Sequence, residues 1–302
     1  MKSLRGRMKR ERALHLMILP GLLVLILFSY VPMAGVMIAF QQFNPAKGLF
    51  GNNPFIGFGN FTYMFSMPNI GRVFWNTIYI SVLKIIIGTI VPIVVALMLN
   101  EEANALFKRT TQTIIYFPYF LSWVILAGIM VDILSPSDGI VNDLLKFFHL
   151  QPIYFLGDNK WFPYTMVITD VWKNFGFDTV VYLAALTSID PGLYEAAMID
   201  GASRWKQTLH ITLPGMQMII VLLMVLNIGN LLNAGFDQIF NLYSPTVYQS
   251  GDIIDTFVYR LGLLQAQFGV STAVGLLKSV VSFVLISIAY YTSYKLFDYI
   301  LF

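Results

Sequence analysis

An all-α membrane protein crossing the bilayer six times is the fold class the sequence predicts, on three observations. Only 12% of the 302 residues are charged against 57% apolar, whereas an ordinary soluble domain carries about 25% charge. No Asp, Glu, Lys or Arg occurs between Arg12 and Lys47, a run of 34 residues, and about 20 apolar residues suffice to cross a bilayer. Further apolar stretches of spanning length then recur along the chain. So little charge for so much apolar side chain argues against a soluble enzyme, a nucleic-acid-binding module or a disordered scaffold.

The first span is expected over residues 16–40, kinked or broken near Pro20 and Pro32, because proline removes a helix donor and clashes with the preceding turn. A basic start ahead of an apolar run also fits a signal peptide, but this run is too long and no small-x-small cleavage site closes it. The remaining spans are expected over residues 74–99, 113–134, 161–188, 215–236 and 270–294. Polar or Gly/Pro-rich connections fill residues 41–71, 100–112, 135–160, 189–214 and 237–269. Neither a repeat nor a Pro/Ser-rich linker divides the chain, so residues 16–302 are read as one transmembrane domain behind a basic tail, residues 1–15.

Six crossings put both termini on one side, and the count of Lys and Arg chooses the side. The terminal side carries eleven: Lys2, Arg5, Arg7, Lys9, Arg10, Arg12, Lys108, Arg109, Arg204, Lys206 and Lys295. The opposite side carries five, Lys47, Arg72, Lys146, Lys160 and Arg260. Both termini are therefore expected in the cytoplasm. The net charge of +3 belongs to the tail rather than to a nucleic-acid surface.

Several chemistries are argued against by what the sequence lacks. There is no cysteine, and His15, His149 and His210 are scattered, so neither a Cys-ligated metal nor a His-rich centre is expected. No His-Glu-x-x-His, Gly-x-Ser-x-Gly or Gly-x-x-x-x-Gly-Lys-Ser/Thr pattern occurs, which leaves no recognisable catalytic set and no phosphate loop.

Residues 189–214, on the cytoplasmic side by this topology, carry the sharpest signal. Asp190 can cap a helix whose first position is Pro191. Gly201 permits a sharp turn, and residues 202–209 are expected to form a second short helix that stops before Pro214. The pattern Glu195-Ala196-Ala197, three residues, Gly201, nine residues, Ile211-x-Leu213-Pro214 resembles the cytoplasmic EAA loop of binding-protein-dependent ABC transporter permeases. It also falls between the fourth and fifth expected spans, where that family places it. Two small alanines allow close approach of a partner, and Glu195 offers a carboxylate to a basic residue across the interface.

The resemblance continues along the chain. Trp172-Lys173, Phe177, Leu183-Ala-Ala-Leu186 and Phe236-Asp237-Gln238-Ile239 look like carbohydrate permeases related to the maltose transporter. The stretches from Asp252 to Arg260 and from Thr272 to Lys278 are similar to permeases of the rhamnogalacturonan, alginate and LplB type. This resemblance implies a type I ABC importer permease fold in a bacterial cytoplasmic membrane. It implies pairing with a second homologous permease and with two cytoplasmic ATPase subunits, which would hold the ATP and magnesium; no cofactor is expected in this chain. A solute-binding protein would dock on the outer loops, and the cargo would be a sugar, in particular an oligosaccharide.

Ionisable residues within spans are costly and usually face a partner or a wet cavity. The candidates are Lys84, Asp170, Lys173, Asp178 and Lys278. Asp170 and Lys173 stand three apart and can pair with each other along one helix. Asn227, Asn230 and Asn233 recur every third residue, suited either to interhelical hydrogen bonds or to sugar hydroxyls, since an amide both donates and accepts. Trp172, Phe175 and Tyr182 can stack on sugar faces. The substrate-path set is thus Trp172, Lys173, Phe175, Asp178, Tyr182, Asn227, Asn230, Asn233 and Lys278. A rival reading, an ion-driven secondary transporter using Asp170, Lys173 and Asp178, predicts transport without ATP and leaves the EAA-like loop unexplained.

Overall fold

A computed structural model describes residues 12–297. The expected basic tail therefore lies outside the described residues as far as residue 11. In chain order the principal helices are α1 (Arg12–Leu25), α2 (Gly59–Ser66), α3 (Ile70–Glu101), α4 (Ala105–Tyr116), α5 (Trp123–Ile133), α6 (Ile140–Phe147) and α7 (Phe162–Leu186), with short turns of helix at Val31–Met33 and Tyr248–Gly251 besides. They continue with α8 (Pro191–Ile199), α9 (Arg204–Gln207), α10 (Leu213–Gly229), α11 (Phe236–Leu242), α12 (Ile254–Tyr259) and α13 (Phe268–Phe297). Among the described residues there is no strand; an isolated antiparallel bridge joins Gln41 to Phe55.

Among the described residues four helices are long and apolar enough to cross a membrane, Leu16–Phe40, Ile70–Glu101, Arg204–Gly229 and Phe268–Lys295, and a bent pair makes five if it is counted as one span. This departs from the six expected in three places. The expected third span is not one rod, because α4, extended by a 3-10 turn to Phe120, meets α5 at 104°. Pro118 lies in that turn, and Ser122 caps α5 by accepting from the Ile125 N–H. The expected fourth span, α7, has 25 residues, about 37 Å at 1.5 Å per residue, but it contains Asp170, Lys173 and Asp178 and is too polar to stand with the four. The expected fifth span begins earlier and ends sooner than residues 215–236. It starts at Arg204 and stops at Gly229, where Asn230 leaves helical geometry.

Two prolines are absorbed in the same way. Before Pro32 the helix widens into a π turn, Ile26–Tyr30, with the Val31 N–H bonded to the Ile26 carbonyl. Before Pro214 a second π turn, Thr208–Thr212, bonds the Leu213 N–H to the Thr208 carbonyl. A wider turn relieves the crowding that a proline ring imposes on the turn before it. Hence the second loop helix does not stop before Pro214 but runs on into α10.

The described residues fold as two compact units, 12–68 with 258–277 and 69–257 with 278–297. In the first, the segment after α1 folds back on itself. The Gln42 N–H reaches the Pro54 carbonyl at 2.9 Å, and the Ile56 N–H reaches that of Phe40 at 2.9 Å. Asn60 Nδ2 donates to the carbonyls of Ala39 and Gln41 at 2.9 and 3.0 Å.

The second unit is built on α3 and α7, which lie side by side and parallel. Near their N-terminal ends Ile80, Phe162 and Met166 share an apolar core with Ala127, Met130 and Ile239. Toward their C-terminal ends Ala96, Tyr182 and Leu186 form a second core with Met216 of α10. Close approach depends on a small residue: a Cβ at Gly176 of α7 would collide with the Ile115 carbonyl of α4.

Candidate functional site

Between the two apolar cores lies a polar cavity of about 310 Å³. From α3 it is lined by Ser81, Lys84, Ile85 and Gly88, and from α7 by Asp170, Val171, Asn174, Phe175 and Asp178. Asn227, Asn230, Asn233, Ala234 and Gly235 complete it from α10 and the turn that follows. On α7 the polar residues Asp170, Asn174 and Asp178 are four apart, so the helix turns all three to one face.

One wall is held by Lys84. Its Nζ donates to Asp170 Oδ1 at 3.2 Å, to the Ala234 carbonyl at 2.8 Å and to Gln238 Oε1. Gln238 is itself fixed, with Nε2 donating to the Met166 carbonyl at 2.8 Å and to Thr169 Oγ1 at 2.7 Å. Gly235 completes the arrangement: its φ of +94° is left-handed, and a Cβ there would lie 3.0 Å from Lys84 Nζ. The charges of Lys84 and Asp170 are thus engaged with each other. Asp178, by contrast, has no hydrogen bond or ion pair among the described residues, and its carboxylate faces a space lined by amides.

The structure divides the sequence candidates. Phe175, Asp178, Asn227, Asn230 and Asn233 line the cavity together. Lys173 lies elsewhere: its Nζ donates to the Tyr119 carbonyl at 2.7 Å, over the rings of Tyr119 and Trp123. It clasps the bent α4–α5 connection to α7, and Phe177 stacks on Tyr119 at 4.1 Å beside it. Trp172 is exposed, Tyr182 is buried in the second apolar core, and Lys278 pairs with Asp255 at 2.5 Å. Asp170 pairs with Lys84 across two helices rather than with Lys173 along its own. Asn174 was not singled out from the sequence, although its four-residue spacing from Asp170 and Asp178 marks it.

At the other candidate site the local structure follows the sequence closely. Asp190 caps α8 by accepting from the Gly192 N–H at 2.9 Å. Gly201 turns the chain at φ +73°, and the Ala202 N–H closes the helix end on the Ala197 carbonyl at 2.8 Å. Ser203 then caps α9. Glu195 and Ala196 are exposed, as are the large apolar side chains of Leu193, Met198, Ile199 and Trp205. Ile211 and Leu213 are half-buried and Pro214 is exposed along the continuation into α10. Two contacts tie the loop to the helices: the Tyr194 and Thr212 hydroxyls at 3.0 Å, and an ion pair between Arg204 and Glu101 at the end of α3.

The comparisons agree with one another. Residues 88–298 match the family described as the binding-protein-dependent transport system inner membrane component. The chain is 41% identical over 288 residues to the polygalacturonan/rhamnogalacturonan transport system permease protein YteP of Bacillus subtilis strain 168, covering 95% of this chain and 89% of that one. It is 39% identical over 288 residues to Protein LplB of the same organism, covering 95% and 90%. A chain in the crystal structure of a bacterial ABC transporter that imports the acidic polysaccharide alginate superposes with a TM-score of 0.90 at 39% identity, covering 97% of this chain and 99% of that one. A second crystal structure, of the alginate ABC transporter in complex with an alginate pentasaccharide-bound periplasmic protein, gives a TM-score of 0.89 over 97% of both chains. The fold is therefore that of an ABC transporter permease, and the chain belongs to the binding-protein-dependent transport system inner membrane component family.

Proposed function

We propose that this chain is the permease subunit of an ATP-driven importer of an oligosaccharide delivered by an extracytoplasmic binding protein. The observation that carries the reading is the cavity at the middle of α3 and α7, closed toward each helix end by an apolar core and furnished with amides and one unpaired carboxylate. Such groups suit sugar hydroxyls, which both donate and accept. The transport roles and sugar substrates in the relatives' names point the same way.

In this reading the bent α4–α5 pair and the polar α7 each complete a crossing, giving six, with both termini in the cytoplasm. A second permease encloses the path from the other side. The α8–α9 loop seats in a cytoplasmic ATPase subunit, with Glu195, Ala196, Ala197 and Gly201 at the contact and Ile211, Leu213 and Pro214 carrying it into α10. Exposed Leu193, Met198, Ile199 and Trp205 fit a protein partner there. ATP and magnesium belong to those subunits. Alternating access then needs two states whose balance the nucleotide and the binding protein each bias.

The test is uptake of labelled oligogalacturonate into proteoliposomes holding the chain with its second permease, ATPase subunits and binding protein. Uptake that requires both ATP and the binding protein, and that is lost with stimulated ATPase activity in Glu195→Ala, is the expected result. Uptake driven by an ion gradient without ATP would overturn the reading.

A further inference from the structure

The N-terminal ends of α3 and α7 border a second pocket of about 500 Å³, whose lining includes Arg72, Trp75, Tyr79, Lys160 and Tyr164. Its chemistry differs from that of the mid-span cavity. Two cations line it and no acid does, and neither Arg72 nor Lys160 has an ion-pair partner among the described residues. Lys160 Nζ lies over the Trp161 ring at 5.7 Å, which positions its charge without neutralising it.

The walls are fixed. Asn76 Nδ2 donates to the carbonyls of Gln249 and Asp252 at 3.1 and 3.2 Å. Asn159 Nδ2 donates to the Thr246 carbonyl at 2.9 Å and its Oδ1 accepts from Ser250 at 3.0 Å. The Trp75 and Tyr79 rings are nearly parallel at 6.2 Å, and the Tyr79 and Tyr164 hydroxyls meet at 3.0 Å.

The pocket opens on the face of α3 opposite the one that lines the mid-span cavity. From Trp75 and Tyr79 that face continues through Val82, Ile86, Ile90 and Val94, a spacing of three to four residues that keeps them in one stripe. Ile86, Ile90 and Val94 are 49%, 55% and 47% exposed. From Trp75 to Ile90 the stripe runs about 22 Å at 1.5 Å per residue, enough for an acyl chain within one half of a core about 30 Å thick. Two cations lining one pocket, an aromatic pair beside them and an apolar track along the same helix face match the parts of one ligand class, in the order it presents them.

We propose that Arg72 and Lys160 bind the phosphate of an anionic phospholipid whose chain lies along the Val82–Val94 face of α3. The site is separate from the transport cavity and does not depend on which sugar is carried.

The test places the full-length chain in nanodiscs of phosphatidylcholine with a minor fraction of phosphatidylglycerol and measures the retained lipid by native mass spectrometry. Wild type should retain phosphatidylglycerol over phosphatidylcholine by roughly thirtyfold. Arg72→Gln with Lys160→Gln should bring the ratio close to one. Should that pair fail to insert, Lys160→Gln alone should lower it to roughly fivefold. Equal retention of both lipids by wild type, or unchanged selectivity in the variants, overturns the proposal. Binding of inorganic phosphate or trigalacturonate that depends on Arg72 and Lys160, with no lipid preference, assigns the pocket to a soluble anion and overturns it as well.

Discussion

Lys84 of α3 and Asp170 of α7 meet at 3.2 Å, with side chains 10% and 22% exposed, at mid-helix between two apolar cores. Removing one partner leaves the other charge buried without compensation, which costs more than the intact pair contributes. Lys84→Met should therefore destabilise the protein by about 3 kcal/mol, while Lys84→Met with Asp170→Leu recovers most of the loss. Thermal unfolding of the detergent-purified protein reads both, and an additive double variant would refute the coupling.

Gly235 and Gly201 both adopt positive φ, but their surroundings differ. Nothing lies within 4 Å of a Cβ at Gly201, whereas at Gly235 it would press on Lys84 Nζ. Gly201→Ala should cost only the left-handed backbone term, about 1 kcal/mol. Gly235→Ala should cost distinctly more, about 2 to 3 kcal/mol, because it also disturbs a buried ion pair. Equal shifts in unfolding temperature would count against the role given to Lys84.

Arg204 and Glu101 join the α8–α9 loop to the end of α3, with side chains 82% and 49% exposed. A solvent-exposed pair contributes little, so Arg204→Gln should change stability by less than about 1 kcal/mol. A double-mutant cycle in stability checks this, and a coupling well above that value would mean that a partner shields the pair.

Among the three asparagines that line the cavity from α10 and the turn after it, Asn230 already donates to the Leu226 carbonyl at 3.2 Å. Asn227 and Asn233 have no side-chain partner among the described residues and are free to meet a ligand. Each lost amide hydrogen bond is worth about 1 kcal/mol, so Asn227→Ala with Asn233→Ala should raise the KM for uptake about thirtyfold and Asn230→Ala much less. Uptake kinetics in proteoliposomes decide it, with ATPase stimulation by the binding protein as the control for assembly.

What could be read from the sequence was local. Asp190, Pro191 and Gly201 place a helix start and a turn because each acts on its own few backbone bonds, and all three do so in the fold. Pro214 shows the limit of the same rule. Proline near a helix start reads as a boundary, but a π turn at Thr208–Thr212 lets the helix continue through it. The break between Phe120 and Trp123 was hidden because Pro118 and Ser122 sit inside an otherwise apolar run. Of the candidate path residues, Phe175 and Asp178 of α7 meet Asn227, Asn230 and Asn233 in the cavity. Lys173 does not, because its partner is a backbone carbonyl 54 residues away, a pairing that no local spacing announces.

The π turn has a mechanical consequence. Because α9 and α10 form a single rod from Arg204 to Gly229, Asn227 sits about 35 Å along it from the loop end, at 1.5 Å per residue. A tilt of about 10° applied at α9 would displace the asparagine end by about 6 Å, roughly the pitch of one helical turn. In the proposed coupling to an ATPase subunit this rod would serve as the lever, with the widened turn near its driven end: substitutions that tighten or loosen residues 208–212 should then alter how much torque reaches the far end without touching either end.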